Sequence, residues 1–259
     1  MGKKIVIVLL IASLCFSFTT GTKDKREYYQ VTIYHFRTPE QKQEIDNYLE
    51  NAWLPAVHRA GITNIGVFCP IANDTAVDKK VVVILPAKSL EIIADLPGKL
   101  LKDGTFQSAG SKFLDAAYNV PAYSRMEKAI AYAFPKAPLL QLPKLNSPRA
   151  DRVYEFRSYE SPSEKVFRNK VHMFNEGGEV DLFKRLNFNA VFYAEVIAGP
   201  NMPNLIYMTS FENMADRDAH WKSFGADPEW KKLSTDSFYQ HNVSRVDITL
   251  MKAMGYSDY

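Results

Sequence analysis

"RVYEFRSYES", at residues 152–161, has the alternating pattern of a β-strand. Side chains alternate across a strand, so one face carries a polar row and the other a more apolar row. The polar row is Glu155, Arg157 and Tyr159, and the apolar row is Tyr154, Phe156 and Ser158. A second stretch, "YYQVTIYHF" at 28–36, aligns with "VYEFRSYES" at 153–161 and matches two of its tyrosines. The chain therefore contains two versions of one strand, which predicts an internal repeat.

The segments that follow these two strands also correspond. "TPEQK" and "SPSEK" are both turn and helix-start signals, and each precedes a long helical stretch. Gly61 and Asn187 then occupy equivalent places, and both residue types suit the left-handed conformation that closes a helix. A strand is predicted after each of them, at 63–71 and at 190–198. Each half thus reads β-α-β-β-α-β, the ferredoxin-like order.

This repeat predicts the domain organisation. We assign residues 23–134 to a first ferredoxin-like domain and 152–259 to a second. Residues 135–151 contain four prolines and little periodicity, which favours an extended linker packed over the surface. The fold class is therefore α+β, with two tandem ferredoxin-like units. The two halves could pair with each other or each with another chain, so a homo-oligomer stays open.

The N-terminus has the pattern of a secretory signal peptide at residues 1–22. "MGKK" supplies a basic start, and "IVIVLLIASLCFSF" supplies an apolar run that is short for a membrane span. An uncleaved anchor is the alternative. Cleavage would leave Cys69 as the single cysteine and a net charge of 30 − 29 = +1, from 32 − 29 = +3 in the full chain. We expect an exported, soluble protein, periplasmic or released, that does not bind nucleic acid, because it lacks a basic cluster.

Three motifs of the second half resemble the NIPSNAP family. They are Tyr-Glu-x-Arg-x-Tyr at 154–159, Met-x-x-Phe-Glu-Asn-Met at 208–214, and Trp-x-x-Phe-x-x-Asp-Pro-Glu-Trp at 221–230. The first half departs from the pattern, since Gln30 and Thr32 replace the glutamate and arginine. The resemblance implies the dimeric α+β barrel superfamily, in which two four-stranded sheets face each other across a lumen. Small monooxygenases, haem-modifying enzymes and lactone isomerases belong to that superfamily, but the family name supplies no reaction.

Within such a barrel we predict that the polar rows face the lumen. The second half would then contribute Glu155, Arg157, Tyr159, Tyr193, Glu195, Arg245 and Asp247, and the first half Gln30, Thr32, Tyr34, Arg125 and Glu127. Enclosed carboxylates need partners, because an unpaired buried charge is costly. The constellation fits either a ligand site or a salt-bridge network that joins the sheets.

Three functions follow from these alternatives. In the first case, the chain binds a small, partly apolar molecule in the lumen. The binding residues would be Arg157, Tyr159, Tyr193, Arg245 and Asp247. Alternatively it is a cofactor-independent monooxygenase or isomerase, with Glu155 or Glu195 as base and Arg157 or Arg245 stabilising an anion. In the third case it is a non-catalytic scaffold for a protein partner. No metal or cofactor is expected, because the sequence has no paired-histidine, phosphate-loop or dinucleotide motif.

Overall fold

The computed structural model describes residues 25–259, so the predicted signal peptide lies outside the described residues. The first half contains four strands and four helices. These are β1 (Tyr28–Phe36), α1 (Pro39–Tyr48), α2 (Leu54–Arg59), β2 (Gly66–Pro70), β3 (Lys79–Ala87), α3 (Leu90–Leu100), α4 (Gly104–Leu114) and β4 (Arg125–Ala133). A π-helical turn, Leu49–Trp53, joins α1 to α2, so together they act as the single long helix that the sequence predicts.

The second half repeats this order of elements. It consists of β5 (Val153–Glu160), α5 (Glu164–Asn175), α6 (Glu179–Arg185), β6 (Phe192–Ala198), β7 (Asn204–Phe211), α7 (Met214–Ala226), α8 (Pro228–Thr235) and β8 (Arg245–Ala253). Both halves are thus ferredoxin-like units, as predicted. The strands β2 and β6 are shorter than expected, beginning at Gly66 and Phe192.

Local sequence signals set most of these boundaries. The side chains of Thr38 and Ser163 accept hydrogen bonds from the free N–H groups at the starts of α1 and α5. Asp227 caps α8 in the same way, with Pro228 in the first helical turn. Gly61 and Asn187 have φ angles of 85° and 55°. The prediction that both are left-handed helix-closing residues is confirmed.

The eight strands form one closed antiparallel barrel. Their order is β1-β3-β2-β8-β5-β7-β6-β4. The two four-stranded sheets meet at two seams: β2 pairs with β8 near Phe68, and β4 pairs with β6 near Ala131. The prediction of an α+β barrel is confirmed, and the barrel closes between the two halves of one chain.

Three hydrophobic cores follow from this architecture. One lies between the first sheet and α1–α4, and a second between the other sheet and α5–α8. The third fills one end of the barrel itself. Each strand therefore has two buried faces, one toward helices and one toward the lumen.

Residues 134–152 cross from one half to the other as an ordered strap. The Leu140 amide donates to Glu27, and the Gln141 amide donates to the carbonyl of Val191, which ties the strap to both halves. Further along, Arg149 donates to the carbonyl of Ser257 near the C-terminus.

Among residues 25–259, no helix combines the length and the apolar character needed to cross a bilayer.

Candidate functional site

The polar row of β5 lies under the helices, so its predicted position in the lumen is wrong. Glu155 is fully buried and accepts hydrogen bonds from Arg157 at 2.5 Å, from Arg217 at 2.6 Å and from the Trp221 indole at 2.9 Å. The Arg157 guanidinium lies 3.7 Å from the centre of the Trp221 ring. Arg217 and Trp221 both belong to α7. Because α7 supplies these hydrogen-bonding and stacking partners, the polar row of β5 faces the helices.

Tyr159 continues the same buried network. Its hydroxyl accepts a hydrogen bond from Arg157 at 2.8 Å and shares another with the Tyr207 hydroxyl at 2.8 Å. Nearby, Lys170 donates to Glu179 at 3.0 Å, and both side chains are almost fully buried. Burial raises the pKa of Glu179, and Lys170 opposes that rise. The main buried charges of this layer are thus paired by the fold itself.

The predicted lumen residues of β6 are reversed in the same way. Glu195 pairs with Arg168 of α5, and Tyr193 packs against Phe174 and Tyr207 in the helix-side core. In the first half Gln30, Thr32 and Tyr34 also lie on the helix side, where Tyr34 contacts Phe113 of α4. Alternation divides the residues of each strand correctly, but helix contacts decide which set faces outward.

The lumen contains a cavity of about 690 Å³, closed at one end and open at the other. Aromatic side chains from both halves and the C-terminus fill the closed end, namely Tyr29, Phe68, Tyr154, Phe192 and Tyr259. Aliphatic and aromatic side chains line the walls, namely Val31, Ile33, Val82, Phe156, Val196 and Ile206. We call this space the cup. Its volume is in the range of sites that hold small organic molecules.

Polar side chains form the rim of the cup. On the first-half side, His35 Nδ1 lies 2.6 Å from Asp78 Oδ1, and its Nε2 lies 3.3 Å from Arg125 and 3.6 Å from Glu127. Arg125 and Glu127 form an ion pair at 2.7 Å. Their predicted lumen position is confirmed. His35 is only 5% exposed, so its ring is held in place between the strands and the rim.

The second-half side of the rim carries Arg245 and Asp247, as predicted. They pair at 2.9 Å, and the hydrogen bond to Asp247 raises the pKa of Arg245. Arg245 Nε also lies 3.7 Å from Glu160 Oε1. Of the seven second-half residues predicted to face the lumen, only these two line the cup.

Several polar residues of the rim and wall were not identified from the sequence, among them His35, Asp78, Lys80 and Asn204. His35 had a detectable signal, because it follows Tyr29, Val31 and Ile33 at every second position of β1. A polar residue at the end of an otherwise apolar row indicates the open end of a barrel. Asp78 and Lys80 come from the β2–β3 connection and the start of β3, whose approach to the rim depends on the fold.

Within residues 25–259, no group of three histidine, cysteine, aspartate or glutamate side chains is arranged to hold a metal ion. The rim offers alternating acids and bases, and a ligand there would meet both.

Comparison with known proteins identifies the family. The NIPSNAP family profile matches residues 154–258. The second half of this chain belongs to the NIPSNAP family. All three motifs noted in the sequence lie within or directly at the start of this NIPSNAP region. No curated protein matches the chain.

Known structures share the whole barrel. A candidate monooxygenase from Lactobacillus acidophilus NCFM is 10% identical, with a TM-score of 0.57, and the alignment covers 88% of this chain and 94% of that one. A candidate monooxygenase from Fusobacterium nucleatum is 6% identical, with a TM-score of 0.54, and covers 88% and 92%. At these identities the likeness establishes the fold alone. The NIPSNAP domain and its partner half thus share one barrel architecture with these proteins.

Proposed function

We propose that this NIPSNAP-type barrel binds a small, partly apolar molecule in the cup. The observation that carries the proposal is the cavity of about 690 Å³ with an apolar wall and a polar rim. Ligand sites are typically apolar clefts with a few convergent polar groups that set orientation. Arg245, Asp247 and His35 are among the polar groups that such a ligand meets at the rim.

The buried Glu155 network supports a structural role instead. Its acid already accepts three hydrogen bonds, and Arg157 is stacked on Trp221. A general base must reach substrate, whereas Glu155 has no exposed surface. The rim, and not Arg157, Tyr159 and Tyr193, is therefore proposed to bind the ligand, and neither Glu155 nor Glu195 is proposed as the base.

An enzyme that abstracts a proton is the second candidate, in keeping with a cofactor-independent isomerase or monooxygenase. One observation favours it: Asp78 contacts Nδ1 of His35 at 2.6 Å, and Nε2 is on the opposite side of the ring. A carboxylate in that position fixes the orientation of the imidazole ring. The two structural neighbours described as candidate monooxygenases are consistent with this alternative but do not name a reaction.

We also propose that the chain is exported with loss of residues 1–22, because that segment has a basic start followed by a short apolar run. Native mass spectrometry of the protein purified from its own host tests both proposals. The expected spectrum shows a chain lacking about 22 residues, by the length typical of signal peptides, together with a bound small molecule. An uncleaved chain would contradict the loss of residues 1–22 and favour the uncleaved anchor instead.

The site of binding is tested by filling the cup. Ile33 lines the cavity and is half-buried, so Ile33→Trp should occupy the space and abolish the retained mass. Ile197→Trp is the matched control, because Ile197 is 39% exposed on the outer face of β6. It should keep the ligand. A wild-type protein that carries no ligand and binds no small aromatic probe would overturn the proposed function in favour of the scaffold.

A further inference from the structure

The wall of the cup contains a buried amide oxygen with no partner. Asn204, the first residue of β7, is 3% exposed and lines the cavity. Its Nδ2 donates to the Ser158 hydroxyl at 2.8 Å, but its Oδ1 is buried and accepts no hydrogen bond from any described residue. Buried polar atoms in folded proteins are normally hydrogen-bonded. Asn204 Oδ1 is therefore an acceptor on the cavity wall whose hydrogen-bonding capacity the described residues do not use.

A second unused acceptor lies beside it. Glu160 is directly opposite Asn204 in the β5–β7 ladder. Directly opposite residues project to the same face of a sheet, with their Cβ atoms about 5 Å apart. Glu160 Oε1 is also buried without a hydrogen bond, and Arg245 Nε stays 3.7 Å away. Two acceptors thus lie on neighbouring strands at one end of β5 and β7, with Asn204 in the cavity wall and Glu160 paired opposite it.

The charge around these acceptors is negative. Glu160 and Asp247 carry two negative charges, and Arg245 is the cation that pairs with both of them. Arg245 donates hydrogen bonds to Asp247 at 2.9 and 3.1 Å, and Glu160 Oε1 accepts no hydrogen bond from residues 25–259. A group with several N–H donors and a positive charge satisfies both oxygens and the local charge at once.

Resting on the proposed function, we infer that the cup selects ligands with an apolar body and a primary amine, whose ammonium donates to Asn204 Oδ1 and Glu160 Oε1. The hydrocarbon part of such a ligand lies against Phe156 and Ile206. The ammonium lies on the second-half side of the rim, where Glu160 at the end of β5 pairs with Asn204 at the start of β7.

Three probes of one shape test the inference on the full mature chain. They are 2-(1-naphthyl)ethylamine, 2-(1-naphthyl)ethanol and 1-propylnaphthalene, and their binding is followed by fluorescence at pH 7. We expect the amine to bind about tenfold or more tightly than the hydrocarbon, with the alcohol between them, since hydrogen bonds to charged groups are the stronger ones. Asn204→Leu and Glu160→Gln should each reduce this preference to about twofold.

Asn204→Asp provides a test that keeps the shape of the side chain. It adds a second charged acceptor at the same place, so amine binding should tighten while hydrocarbon binding stays unchanged. Glu50→Gln, at an exposed position of the first half, is the control and should alter neither probe.

The outcomes separate the two proposals. Equal binding of all three probes, weakened alike by Ile33→Trp, would leave the lumen site in place and overturn the amine preference. Tighter binding of the hydrocarbon than of the amine would have the same meaning. Failure of all three probes to bind wild-type protein would overturn the lumen site and the amine preference together.

Discussion

Glu155 accepts hydrogen bonds from three side chains and is fully buried, so it is the centre of the polar network between the second sheet and α7. Glu155→Ala would leave Arg157 beneath α7 without its carboxylate partner. Removing one member of a buried ion pair costs about 3–5 kcal/mol, because the remaining charge stays desolvated. We expect the free energy of unfolding in urea to fall by about that amount.

Asp218→Ala is the matched control for this prediction. Asp218 also pairs with Arg217, at 2.9 Å, but its side chain is 64% exposed. An exposed pair contributes about 0–1 kcal/mol, so this variant should unfold close to wild type. Equal losses from the two substitutions would show that Glu155 is not the centre of the network.

At the site, the sequence predicted some of the lumen-facing residues correctly and missed others. Arg245 and Asp247 were placed in the lumen correctly, because Val246 and Ile248 alternate with them and the two sets differ in polarity. On β5 both rows contain aromatic and polar residues, so polarity could not assign the faces. Asn204 was missed because a single asparagine at a strand start usually indicates a turn.

Among the elements, the strap between the halves is held in its later part by the carboxylate of Glu212. Glu212, just after β7, accepts hydrogen bonds from the backbone amides of Asn146 and Ser147 at 2.7–3.0 Å. These bonds hold the pKa of Glu212 below its usual value. The strap is therefore fastened by an ionised side chain, and its attachment depends on pH.

We expect Glu212 to stabilise the fold at neutral pH and to lose that effect in acid. A depressed folded-state pKa contributes stability that is present above the unfolded pKa of 4.5 and is lost as pH falls through the lower folded value. Urea unfolding at pH 6 should therefore show wild type more stable than Glu212→Gln. At pH 3 the difference should shrink. A difference that is the same at both values would rule out ionisation as its source.

In the whole molecule, each four-stranded sheet shields the apolar lumen face of the other from solvent. The lumen faces of the second sheet carry buried apolar side chains, including Phe192, Ile206 and Met208, and the first sheet shields them. A fragment of residues 152–259 would expose this surface and both seam strands, β6 and β8. Exposed apolar faces and unpaired edges favour self-association.

We expect that fragment to form a dimer that rebuilds the barrel from two copies. Light scattering coupled to size exclusion should give twice the mass of the fragment. Ile206→Lys in the same fragment places a charge in the lumen and should prevent the dimer. A monomer that unfolds cooperatively on its own would show that the second sheet needs no partner.

The order of elements, the helix caps and the division of each strand into two rows were determined by the sequence itself. Those features rest on local chemistry, such as the cap at Ser163 and the left-handed residue at Asn187. Which row faces the lumen was decided only by the tertiary structure. The alternation of side chains separates the two faces of a strand but does not say which face is turned toward the lumen. Arg217 and Trp221 on α7 donate hydrogen bonds to Glu155, so the charged row of β5 faces the helices. The closed barrel then brings His35, Asn204 and Arg245 from three distant strands to one opening.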